Sequence, residues 1–344
     1  MQRELLMRRC LDLAHLGHMT NGANPCVGAL LLSGDAIRSE GYYRKFGGPH
    51  AEADCITRLG SLPVYPADEL YVSLEPCNIH GKTPPCRDLI LKHNIKKVTV
   101  CVTDPNPQIA GSSLDQLRNE GVHCQSGLLA DQGESLLRSF RTSITQKRPY
   151  LILKWAQSRD GLIGRDGERI KISSSLSDRL VHKWRAECDG ILVGTTTAIV
   201  DNPRLDNRLF FGPSPTRIIF DRNARIPLSH HVLNDQHPTI VLGRDRQDRD
   251  FSQTSFVPYA HHDELPLILR DLYQRGLASI FIEGGGKLLQ YCLDKGLWDE
   301  CRVIVSDKWL TQGIEAPILH QSCETSFRIG PDKVLNFRNE AQNS

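Results

Sequence analysis

The sequence of 344 residues has no apolar run approaching the ~20 residues that a membrane-crossing helix needs, so no membrane helix is expected. It has no excess of charge of either sign. The formal net charge is +2, and no stripe of basic and aromatic residues appears, so nucleic acid is not expected as a partner. It has no repeat of fixed period and no low-complexity tract. A composition of 40% hydrophobic and 24% charged residues excludes disorder, collagen and coiled coil as the main architecture. The opening Met1-Gln2-Arg3-Glu4-Leu5-Leu6 carries an early acid and no long apolar stretch, so no secretion signal is expected and the chain is placed in the cytoplasm. The eleven cysteines are odd in number and scattered, which points to a reduced chain rather than a disulfide framework. What the sequence does have is length. It exceeds one ordinary core, so two domains are expected.

Hydrophobic periodicity places the elements. Helices are expected at Leu5–Leu16, Ala51–Leu59, Arg87–His93, Leu114–Asn119 and Gln132–Ile144, and strands at Val27–Leu32, Ala36–Tyr42, Leu70–Leu74, Lys97–Val102 and Val122–Cys124. Thr145-Gln146-Lys147-Arg148-Pro149 is polar and ends in a residue that cannot continue a helix, so the boundary is set there, giving domains 1–146 and 147–344. The second half restarts with a strand at Tyr150–Trp155. Further strands are expected at Gly190–Val193, Arg217–Phe220, Thr239–Leu242, Ser279–Ile282 and Cys301–Val305, with helices at Ser175–Glu187, Leu265–Arg275 and Lys287–Lys295. Both halves read as layered α/β. Gly243–Asp250 reads as a solvated loop.

Pro49-His50-Ala51-Glu52 opens a helix, Leu74-Glu75-Pro76-Cys77 ends a strand, and Pro84-Pro85-Cys86 opens another helix. One imidazole and two thiolates supply three ligands to Zn²⁺ and leave a fourth position for water. Glu52, two residues after His50, suits a carboxylate that takes the water's proton and passes it to a ring nitrogen and a leaving amine. H-x-E followed by P-C-x-x-C marks zinc nucleobase deaminases. Here eight residues, Asn78 to Pro85, separate the cysteines, which departs from a plain cytidine or adenosine deaminase. A purely structural zinc site is the competing reading, with His80 as a fourth ligand, but such a site gives Glu52 no task.

The longer stretch Leu74-Glu75-Pro76-Cys77-Asn78-Ile79-His80-Gly81-Lys82-Thr83-Pro84-Pro85-Cys86, with Asn24-Pro25-Cys26-Val27-Gly28 and Asp104-Pro105-Asn106-Pro107, resembles the deaminase half of the bifunctional riboflavin-biosynthesis deaminase–reductase family. The resemblance implies a cytidine-deaminase-like α-β-α sandwich acting on a phosphorylated diaminopyrimidinone. It implies His50, Cys77 and Cys86 as zinc ligands, Glu52 as the proton carrier and Asn24 as a substrate contact; Lys82 is either a phosphate contact or an exposed lysine. Tyr43 stands where the family usually has His, Ala23 where it has Pro, and Gly111-Ser112-Ser113 where it has Gly-x-Gly.

In the second half, Ser279–Ile282, Glu283-Gly284-Gly285-Gly286 and Lys287–Gln290 read as strand, glycine loop and helix, an arrangement that offers bare N–H groups to an anion. It is not the G-x-G-x-x-G fingerprint, so no Rossmann domain is expected. Lys154-Trp155-Ala156-Gln157-Ser158-Arg159-Asp160-Gly161 and Asp201-Asn202-Pro203 resemble the reductase half of the same family. That resemblance implies a dihydrofolate-reductase-like domain using NADPH to reduce the ribosyl chain to ribityl. It implies that Ala156, Lys171, Thr197, Asp201, Gly284, Gly285 and Gly286 line the cofactor, and that Arg169, Arg185, Leu205, Arg208 and Glu283 meet the substrate. Arg185 and Arg208 suit a phosphate with forked donors, and Glu283 suits ribose hydroxyls. Arg222 either pairs with the cofactor's 2′-phosphate or lies on the surface. Lys171 stands where many members have Trp and Arg169 where they have Ser; Lys171 then covers the nicotinamide with its stem, carries a phosphate contact, or marks weakened reduction. The expected partners are a small phosphorylated pyrimidine, a second copy of the chain as a homo-oligomer, and neither nucleic acid nor membrane. Two alternatives stay open: a second domain that binds without reducing, and a nucleic-acid-editing deaminase.

Overall fold

The computed structural model describes residues 2–17, 24–34, 36–234, 237–243, 253–259 and 264–339. Ala23, Asp35 and residues 244–250, most of the expected solvated loop, lie outside them. The chain divides into two compact units, Met1–Arg148 and Pro149–Ser344.

The first unit runs α1 (Gln2–Leu16), β1 (Gly28–Ser33), β2 (Ala36–Tyr42), α2 (Ala51–Arg58), β3 (Glu69–Leu74), α3 (Cys86–Lys92), β4 (Lys97–Val102), α4 (Ser112–Asn119), β5 (His123–Ser126) and α5 (Ala130–Gln146). Its sheet has the order β2-β1-β3-β4-β5. The strand β1 runs antiparallel to β2 and β3, while β3, β4 and β5 are parallel. The run Gly28–Leu32 is buried throughout, as a strand covered on both faces must be. Two glycines show what covers it. A Cβ on Gly28 would stand 2.0 Å from Cys10 O in α1, and one on Gly41 would stand 2.3 Å from the Cys55 nitrogen in α2. Gly41 pairs with Ala29, the neighbour of Gly28, so the two glycines point to opposite faces. The sheet is therefore sandwiched between α1 and α2, and the expected α-β-α architecture is present. Gly41→Ala is expected to cost about 2 kcal/mol or more through overpacking against helix backbone, read from the midpoint of denaturant unfolding.

The second unit runs β6 (Tyr150–Gln157), β7 (Leu162–Gly164), α6 (Ser175–Ala186), β8 (Gly190–Val193), α7 (Thr195–Asp201), β9 (Thr216–Asp221), α8 (His231–Asn234), β10 (Thr239–Gly243), β11 (Thr254–Val257), α9 (Leu265–Gln274), β12 (Ser279–Glu283), α10 (Gly286–Asp294), β13 (Glu300–Val305), β14 (Ile314–Glu315), β15 (Thr325–Ile329) and β16 (Asp332–Arg338). Its main sheet has the order β11-β10-β9-β8-β12-β6-β13-β16-β15, parallel from β11 to β13 and antiparallel through β16 and β15. Alternation along β6 divides the core. Leu151, Leu153 and Trp155 pack with Leu265, Leu269 and Leu289 from α9 and α10, whereas Tyr150 and Ile152 pack with Val181, Trp184, Ala198 and Val232 from α6, α7 and α8. This doubly covered α/β sheet agrees with the expected dihydrofolate-reductase-like class.

The hairpin β15–β16 and the short pair β7–β14 are absent from the sequence-based expectation. Every residue of β15 except Ile329 is exposed, so this edge strand lacks an alternating apolar pattern to read. The helix α7 opens on three threonines, which are weak helix formers.

Candidate functional site

The carboxyl ends of parallel strands collect ligands in α/β sheets, and the first unit follows this rule. Cys77 lies just beyond β3, Cys86 is the first residue of α3, and His50 is the N-cap of α2. Their donor atoms lie within 4.8 Å of one another. His50 Nδ1 stands 3.5 Å from Cys77 Sγ and 3.4 Å from Cys86 Sγ, and the Cys86 N–H donates to Cys77 Sγ at 3.4 Å. A hydrogen bond from the Cys86 thiol holds Cys77 well below its usual range, with His50 assisting. Cys86 is pushed up, as the donor of that bond and by burial. Tyr43 packs edge-on against His50, with ring centroids 5.3 Å apart, and its hydroxyl accepts the Gly47 N–H at 3.1 Å. Two soft thiols and an imidazole converging at this distance fit zinc. Among the described residues no fourth histidine, cysteine or carboxylate joins the group. His80, considered above as a fourth ligand, is exposed and stands outside it.

Glu52 is 3% exposed on the first turn of α2. Burial, aided by the Cys77 charge, pushes its carboxyl up to about 7. Near neutral pH such a group both takes and gives a proton. Lys82 is exposed, with its Nζ 3.9 Å from the Phe46 ring centroid. Asn24 is half-buried on the approach to β1.

In the second unit, Gly284 and Gly285 adopt φ of +76° and +77° at the end of β12, and α10 starts at Gly286. A Cβ on Gly284 or Gly285 would come within 3.3 Å of Thr197, and one on Gly286 within 3.0 Å of Ile163. The loop and the start of α7 thus form a narrow backbone cradle at a helix N-terminus, which fits the phosphates of a dinucleotide. Ala156 is half-buried on β6. Asp201, at the end of α7, is raised by burial and drawn back by the Arg169 charge. Arg222 is exposed in the turn after β9. Lys171 is exposed and donates from Nζ to Asp178 Oδ2 at 2.6 Å.

Four of the five substrate residues expected in the second half come together. Arg169, Arg185, Leu205 and Arg208 line a cavity of about 260 Å³ with Asn202, Pro203, Arg204 and His231. The fifth, Glu283, is held by Arg185, whose Nε and Nη2 donate to its two oxygens at 2.7 and 2.8 Å, while Nη1 donates to Asp206 O at 3.0 Å. Burial alone would raise Glu283, but the charges of Arg185 and Lys154 outweigh it and hold the carboxyl at about 2. Sequence reasoning missed the supporting set. The Arg208 N–H donates to buried His182 Nδ1 at 3.1 Å. The guanidinium of Arg217, 1% exposed, donates to the carbonyls of Arg204 at 3.3 Å and His231 at 3.2 Å. The one available signal was an arginine opening the apolar strand Arg217–Phe220.

Residues 1–102 match the cytidine and deoxycytidylate deaminase zinc-binding region, and residues 149–329 match the RibD C-terminal domain. The class is thus a zinc-deaminase unit joined to a reductase unit. The chain is 35% identical over 340 residues to riboflavin biosynthesis protein RibD of Aquifex aeolicus, covering 96% of this chain and 94% of that protein. It belongs to the RibD family of riboflavin biosynthesis proteins. Two solved structures agree over 98% of each chain: RibD of Acinetobacter baumannii, form 1, with a TM-score of 0.90 and 29% identity, and a diaminohydroxyphosphoribosylaminopyrimidine deaminase/5-amino-6-(5-phosphoribosylamino)uracil reductase of Thermotoga maritima, with a TM-score of 0.89 and 30% identity.

Proposed function

We propose that this chain performs two consecutive steps of riboflavin biosynthesis, with residues 1–146 hydrolysing an amino group from the phosphorylated diaminopyrimidinone and residues 147–344 reducing the ribosyl side chain of the product with NADPH. The observation that carries the reading is the convergence of His50, Cys77 and Cys86 beside buried Glu52. The three side chains would hold zinc, which when bound would supply the acidity that makes water nucleophilic near neutral pH. Glu52 takes one proton from the attacking water and gives it to the ring nitrogen, then takes the second from the added hydroxyl and gives it to the departing amine, so oxygen replaces nitrogen and ammonia leaves. Asn24 and Lys82 contact the substrate.

In the second unit Gly284, Gly285, Gly286, Thr197, Ala156, Asp201, Lys171 and Arg222 seat the dinucleotide, which supplies hydride. The ionised Glu283 carboxylate accepts hydrogen bonds from sugar hydroxyls. Arg169, Arg185 and Arg208, with Leu205, shape the cavity that takes the phosphate. The chain acts as a homo-oligomer in the cytoplasm and engages no nucleic acid. No helix among the described residues is long and apolar enough to cross a membrane.

The test is to incubate zinc-loaded protein with the diaminopyrimidinone phosphate and weigh the product, with and without NADPH. Loss of NH with gain of O is expected first, and gain of two hydrogens on adding NADPH. Stripping zinc with a chelator is expected to abolish the first change and to leave reduction of pre-deaminated substrate intact. NADPH bound but never oxidised in the presence of that substrate would overturn the reductase half. Light scattering and a filter-binding assay with tRNA check the assembly and the absence of nucleic-acid binding.

A further inference from the structure

Glu75 follows β3 directly and precedes Cys77 by two residues; it is 3% exposed. Its backbone still belongs to the sheet, for its N–H donates to Val102 O at the end of β4 at 2.9 Å. Its carboxylate accepts four backbone N–H groups. Oε2 takes those of Asp104 at 3.0 Å and Gly111 at 2.8 Å, the two ends of the loop after β4. Oε1 takes those of Ser113 at 3.1 Å and Leu114 at 3.3 Å, in the first turn of α4. An ionised acceptor at the positive end of a helix makes strong bonds of this kind.

Asn78, on the other side of Pro76-Cys77, reaches the same helix. Its Nδ2 donates to Ser112 Oγ at 3.0 Å and to Gln116 Oε1 at 3.3 Å. Both residues flanking Pro76-Cys77 therefore grip α4. At one stapled end stands buried Asp104, whose Oδ1 accepts the Asn106 N–H at 2.8 Å and whose carboxyl lies within electrostatic reach of Cys77. Capping α4 occupies only one oxygen of Glu75. The other closes the loop against the strand that delivers Cys77.

We infer that Glu75 is a positioning residue for deamination: its carboxylate sets the 104–111 loop, and the Asp104 side chain with it, against the His50–Cys77–Cys86 cluster as the wall on which the pyrimidine is seated. This deepens, and rests on, the deaminase reading above. A wall that seats the pyrimidine acts on how well the substrate is held, while the zinc-side groups that do the chemistry stay in place, so a loop set by one carboxylate is a sensitive point for KM.

The test is Glu75→Gln in the zinc-loaded full chain. The amide keeps the shape but turns an NH₂ towards two N–H donors. The expected result is a KM for deamination raised about tenfold or more, with kcat less affected. Zinc content and NADPH-dependent reduction of pre-deaminated substrate stay unchanged, and the amide hydrogens of Asp104 and Gly111 exchange faster. Unaltered KM and kcat with only a lower unfolding midpoint would reduce Glu75 to a structural cap, and loss of zinc would show that it acts on the cluster rather than the loop; either overturns the inference. If E75Q does not fold, Glu75→Asp keeps the charge on a shorter arm and is expected to show the same KM rise in smaller measure. A wild-type chain that deaminates nothing would defeat the earlier reading instead, and the exchange of Asp104 and Gly111 would still test the staple.

Discussion

Glu52→Gln is expected to lower kcat for deamination by roughly a thousandfold, while zinc content and reduction of pre-deaminated substrate stay at wild-type levels. The amide matches the carboxyl in shape and fits the same buried position on α2, so the loss reports proton transfer and not collapse of the site. Product mass and zinc analysis of the same sample check it. Activity within tenfold of wild type would assign the proton to another group. The substitution also carries a pH signature in metal-free protein. Glu52 in the fold titrates at about 7, above the ~4.3 of an unfolded glutamate, so the native state binds the proton more tightly. Wild-type stability therefore falls as pH rises from about 4 through 7. E52Q escapes that fall, so its advantage grows as pH rises from about 4 to 7, is full above that and vanishes below pH 4.

Arg185→Ala is expected to destabilise the second unit by about 3 kcal/mol and to abolish reduction, because it leaves the Glu283 carboxylate buried with only the weaker influence of Lys154 and His182 to offset its burial. Both partners of the pair are only 12% exposed, so solvent screens little of the loss. The sign with pH follows from the depressed carboxyl. The pair's contribution is full above the ~4.3 of an unfolded glutamate and is lost as pH falls through about 2. The gap between wild-type and R185A unfolding midpoints should thus be constant from pH 7 to 5 and close on further acidification. A gap that persists at pH 2 would assign the loss to packing of the arginine stem.

Much of this was legible in the sequence because the signals are local. The candidate metal cluster sits at two helix starts and one strand end, and each of its donors is marked by the residue beside it: Pro49 before His50, Pro76 before Cys77, Pro85 before Cys86. The buried strands of both sheets read as apolar runs because helices cover both their faces. The hairpin β15–β16 was illegible because an exposed edge strand has no apolar face to display. The glycine run was legible as an anion loop, but its shape depends on Thr197, on a different helix. Lys171 could be named from its place in the chain, yet its bond to Asp178 required α6 to be folded beside it.

By itself the sequence determined chemistry: which side chains can hold a soft divalent cation, which carboxylate stands two residues from a ligand, and where bare N–H groups follow a strand. Only the tertiary structure decided partnership. Arg185 and Glu283 lie 98 residues apart, and the groups stapled by Glu75 lie 29 to 39 residues beyond it. The reason is physical. Helix and strand periodicities act within a few residues, but a buried charge must find its partner wherever packing brings one, and that choice is made only when the sheet assembles.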